Sequence, residues 1–83
     1  MTPREHAKKL LEEWNLCVEA KPKNNAVDIR LDKDVVRPWA VHLDWQLSWG
    51  SENDIQIACC QLESRLNALK EKIIIEVLKN GSV

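Results

Sequence analysis

The chain has 83 residues, 45% of them apolar and 30% charged, so it is expected to fold as one domain over residues 1–83 rather than stay disordered. Twelve Lys and Arg against thirteen Asp and Glu give a formal charge of −1. Neither half is a basic arm or an acidic tail, which disfavours the phosphate-neutralising class of nucleic-acid binder. Four Trp with no Tyr or Phe is the odd feature, and only two Gly argue against a turn-rich all-β fold.

The N-terminus reads as a helix from about 3 to 15. Thr2 is a good N-cap, Pro3 suits the first helical position, and Glu5 sits where a capping box needs an acid. Ala7, Leu10, Leu11 and Trp14 then form one stripe at helical spacing. Residues 17–21 allow a short edge strand, and Lys21-Pro22-Lys23-Asn24-Asn25 reads as a turn.

From Asn25 the period changes to two. Val27, Ile29 and Leu31 alternate with Asp28, Arg30 and Asp32, which predicts a strand with one wet face, followed by a polar turn at Asp32-Lys33-Asp34. The alternation is strongest further on. Trp39, Val41, Leu43, Trp45, Leu47 and Trp49 take six consecutive odd positions, and on a strand all six share a face. Pro38 marks where a regular ladder can begin, and Gly50 ends it.

The last element reads as a long helix over 52–79, capped by Ser51 with Asp54. Ile55, Cys59, Leu62, Leu66, Leu69 and Ile73 step by alternating fours and threes, a sustained heptad stripe widened by Ile74. At 1.5 Å per residue this helix runs about 42 Å, longer than the roughly 30 Å diameter of a spherical domain this size. The longer strand likewise outruns its partner. A homodimer, through the terminal helix or a sheet edge, resolves both mismatches.

Motifs for chemistry are absent. His42, Asp44 and Ser48 are the residue types of a hydrolase triad, but His42 and Ser48 lie about 20 Å apart on a strand. No Cys or His spacing marks a metal, and two glycines cannot build a phosphate loop. Cys17, Cys59 and Cys60 read as reduced, small apolar residues. Uninterrupted apolar runs such as Ile73-Ile74-Ile75 stop far short of the ~20 residues of a membrane span, and the start shows no signal-peptide pattern. The expected compartment is the cytosol.

The sequence therefore predicts an α+β fold: an N-terminal helix, a small antiparallel sheet of two to three strands, and a long C-terminal helix on one sheet face. The candidate core or interface residues are Trp39, Val41, Leu43, Trp45, Leu47, Trp49, Ile55, Cys59, Leu62, Leu66, Leu69, Ile73 and Ile74. The expected function is a non-enzymatic, cytosolic protein-interaction module of adaptor or inhibitor type, homodimeric, with an unidentified protein partner and no cofactor. The alternative is a nucleic-acid-associated regulator using exposed Trp with Arg37, Lys21 and Lys23.

Overall fold

Three helices account for the architecture of the computed structural model, which describes residues 2–20 and 26–81. They are α1 (Pro3–Glu19), α2 (Ala26–Trp49) and α3 (Glu52–Gly81). No strand occurs among the described residues, so the predicted α+β fold and its sheet are overturned. Both predicted strands lie inside α2, as do the Asp32–Asp34 turn and Pro38. Residues 17–19 of the proposed edge strand close α1, and the turn at 21–25 falls outside the described residues.

Local chemistry sets the helix starts. The Thr2 hydroxyl accepts from the Glu5 N–H at 3.2 Å, ahead of Pro3 in the first turn. At α3, the Ser51 hydroxyl accepts from the Asp54 N–H while the Asp54 carboxylate accepts from the Ser51 N–H, both at 3.2 Å. That closes a reciprocal capping box with Asp in the acid's place. Only Gly50 and Ser51 separate α2 from α3, which forces the two helices antiparallel. A Cβ on Gly50 would come within 3.0 Å of the Gln46 carbonyl oxygen and collide with its side-chain Oε1, so this tight exit favours glycine.

Contacts between helices give their directions. Asp32 meets Lys72 and Trp39 meets Arg65, seven residues up α2 and seven down α3. His6 meets Glu63 and Glu13 meets Lys70, seven residues up both α1 and α3. α1 and α3 are therefore parallel, with α2 antiparallel to each: an up-down-up three-helix bundle. The core runs the length of the seam. α1 contributes Ala7, Leu10, Trp14 and Cys17; α2 contributes Ile29, Val36, Ala40 and Leu43; α3 contributes Ile55, Ala58, Cys59, Leu62, Leu66, Leu69 and Ile73.

The bundle is a rod of 46 × 23 × 17 Å. Thirty residues make α3 about 45 Å long, which is the rod's own length. The expected mismatch between helix and domain arose from assuming a sphere, and it disappears. So does the strand lacking a ladder partner. Homodimerisation needs a different footing.

The Trp alternation also has a helical explanation. Each step of two residues turns a helix by about 200°, so odd positions fall alternately on two opposite faces. Leu43 is fully buried, with Trp39 and Leu47 packed against the core. Val41, Trp45 and Trp49 are 62%, 58% and 76% exposed. The six residues do not share a face.

Candidate interaction surface

Every helix pair is tied at its rim by charged side chains. Lys33 of α2 donates to the carbonyls of Val18 and Ala20 at the end of α1, at 3.2 and 2.8 Å. Arg4 of α1 donates to the Leu47 carbonyl near the end of α2 at 3.0 Å. Neither helix has a basic residue in its own last turn, so each receives from the other the cation that a helix C-terminus favours. The Arg37 guanidinium lies 5.7 Å from the Trp14 ring centre, and that of Arg65 lies 3.7 Å from the Trp39 ring centre. These charges belong to the bundle.

The outer face of α2 has no such role. Leu31, Val35, Pro38, His42, Trp45 and Trp49 step by alternating fours and threes along the side opposite the core, and all six are exposed. Val41 widens the stripe on its α1 side. Its α1 edge carries Asp34 and Ser48, with the Arg37 guanidinium 3.8 Å from the Asp34 carboxylate. Its α3 edge carries Asp32, Trp39 and Gln46. Singly exposed apolar residues are ordinary on a surface; a continuous apolar stripe carrying two exposed Trp is not.

Of the other sequence candidates, Leu43, Ile55, Cys59, Leu62, Leu66, Leu69 and Ile73 are buried. Ile74 is 56% exposed and lines an open apolar depression of about 400 Å³ with Leu16, Cys17, Ala20 and Ile73, where α1 ends. The sequence reading missed Val36, Ala40 and Ala58 as core, and Leu31, Val35 and Pro38 as surface. The signal was present: Val36, Ala40, Leu43 and Leu47 repeat by fours and threes, as does the outer set.

His42, Asp44 and Ser48 are exposed on α2, and His42 lies on a different side of the helix from Asp44 and Ser48, so they form no triad. No cluster of three metal-ligating side chains occurs among the described residues. Burial, foremost, raises the thiols of Cys17 and Cys59 above their ordinary range, which keeps them protonated and unreactive. No helix of the described residues is long and apolar enough to cross a membrane. Compared with family models, curated proteins and solved structures, the chain matches none.

Proposed function

We propose that this chain is a small, non-enzymatic protein-interaction module, adaptor or inhibitor in type and cytosolic, that makes its contact through the outer face of α2. The observation carrying this reading is the exposure of Trp45 and Trp49, 58% and 76%, in line with Leu31 and Val35. Trp is enriched where binding energy concentrates, because one rigid side chain buries a large area at small entropic cost. The bundle satisfies its own core without these residues, so their retention on the surface points outward.

The nucleic-acid alternative draws on the same two rings, which could stack bases. The cations it needs are engaged elsewhere: Arg37 over Trp14 and beside Asp34, Arg4 on the end of α2. Lys21 and Lys23 lie outside the described residues. A protein contact is the better-supported reading.

The test compares the native chain with a Trp45→Ser, Trp49→Ser variant as baits in host extract, with circular dichroism showing equal helix content. Proteins recovered by the native chain and lost by the variant support the reading. Equal recovery by both overturns it. A parallel titration with single-stranded oligonucleotide at low salt should leave Trp fluorescence unchanged; quenching that the variant abolishes favours the alternative.

A further inference from the structure

We infer that the occupant of the outer α2 face is a second copy of this chain, lying antiparallel across a two-fold axis near residue 40. This rests on the reading that the face is an interaction surface, and it names the partner. Three features support it.

The first is area. Leu31, Val35, Val41, Trp45 and Trp49 are each between 58% and 76% exposed along about 27 Å of helix, an apolar patch on the order of several hundred Å², the size that marks an interface on an otherwise polar surface. The second is the spacing. A two-fold interface must be self-complementary, because the same patch serves both sides. The stripe Leu31, Val35, Pro38, His42, Trp45, Trp49 reads with the same steps in both directions. Antiparallel pairing sets Leu31 against Trp49 of the second copy, Val35 against Trp45 and Pro38 against His42. Each large ring meets a smaller aliphatic side chain. Parallel pairing would stack Trp on Trp at one end and leave Leu31 and Val35 to fill the other.

The third feature is charge. Along the α1 edge, antiparallel pairing places Asp34 opposite Ser48 of the second copy and Val41 opposite Val41. Along the α3 edge, Asp32 faces Gln46 and Trp39 faces Trp39. No carboxylate confronts another across the seam.

The experiment combines sedimentation equilibrium with disulfide trapping of the full chain, in a Cys60→Ser background that removes the exposed native thiol. The expected result is a dimer at micromolar concentration, converted to an equally helical monomer by Trp45→Asp and left intact by Ile57→Glu, a change on α3 away from the stripe. Chains carrying Val41→Cys should cross-link to themselves. Chains carrying Ser48→Cys should cross-link to chains carrying Asp34→Cys, and neither should link to itself. A native chain that sediments as a monomer overturns the second-copy assignment; loss of bait partners in the Trp45→Ser, Trp49→Ser variant would then still uphold the interaction surface. A dimer that links Ser48→Cys to itself overturns the antiparallel register. A dimer unaffected by Trp45→Asp overturns the assignment and takes self-association away from this face.

Discussion

The long helices α2 and α3 differ in how many sides of them are apolar. α3 carries one continuous stripe, Ile55 to Ile73, and buries it between α1 and α2. α2 carries two stripes at the same spacing on opposite sides. One, from Ile29 to Leu47, is packed in the bundle; the other, from Leu31 to Trp49, is exposed. A helix with a single apolar side can complete a small bundle and stop. One with two sides completes the bundle and still has surface to offer. The lesson is that spacing alone identifies a helix face, while only the packing of neighbours says which face is core.

The sharpest way to break this comparison is a pair of substitutions two residues apart. Leu43→Asp buries an unpaired charge at a site with no solvent exposure. It should cost on the order of 4 kcal/mol or more, and a chain of this size has only ~4–12 kcal/mol of stability, so cooperative unfolding is expected to be lost. Trp45→Asp, on the other side, should keep its helix content and shift the dilute-solution urea midpoint by less than about 1 kcal/mol in equivalent stability. Chemical denaturation followed by circular dichroism reads both. Equal damage from the two would mean that α2 has no outer face.

Those two stripes also explain what was and was not legible in the sequence. α1 and α3 could be read because each has a capping residue and essentially one apolar stripe. In α2, two stripes half a turn apart interleave. Trp39, Leu43 and Leu47 lean on the core, Val41, Trp45 and Trp49 face out, and their merged pattern is a period of two. Pro38 completed the illusion, since an interior proline costs a helix about 3 kcal/mol and so reads as a boundary. Its position on the exposed side lets the freed Asp34 carbonyl turn to solvent. The outer stripe is visible residue by residue, but its residues read as a sheet core because alternation usually means a buried strand face.

Pro38 consequently supplies the next prediction. Pro38→Ala restores a backbone N–H donor at an exposed helical position and should raise stability by about 1–3 kcal/mol. The midpoint of thermal unfolding should rise accordingly. A proline starting a strand would give little or no gain, so an unchanged midpoint would count against a continuous α2.

Smaller effects test the reciprocal caps between α1 and α2. Lys33 is part-buried and serves two carbonyls, whereas Arg4 serves one in solvent. Lys33→Met keeps the aliphatic stem and removes the ammonium, at a cost of about 1–2 kcal/mol. Arg4→Met should cost less than about 1 kcal/mol, because water replaces its exposed bond. Urea midpoints for the two variants should rank in that order. The reverse order would place the tighter junction at the other end of the α1–α2 pair.

The smallest effect repeats the comparison of inner and outer faces on α3, at neighbouring positions. Cys59 is 1% exposed and Cys60 lies on the surface. Near neutral pH a thiol reagent should modify Cys60 at once and reach Cys17 and Cys59 only on unfolding, while Cys60→Ser changes stability by no more than about 0.5 kcal/mol. The buried pair adds an alkaline signature. Burial raises both thiols above 9.0, so the unfolded chain ionises first as pH climbs through that value. The stability held by the neutral thiols is complete below the unfolded value and drains away as pH rises towards the folded ones. Urea midpoints should therefore fall from neutral to alkaline pH, more shallowly once Cys17 and Cys59 are both replaced by Ala. Equal slopes, together with prompt modification of three thiols at neutral pH, would show that the side of α3 bearing Cys59 is not closed against α1.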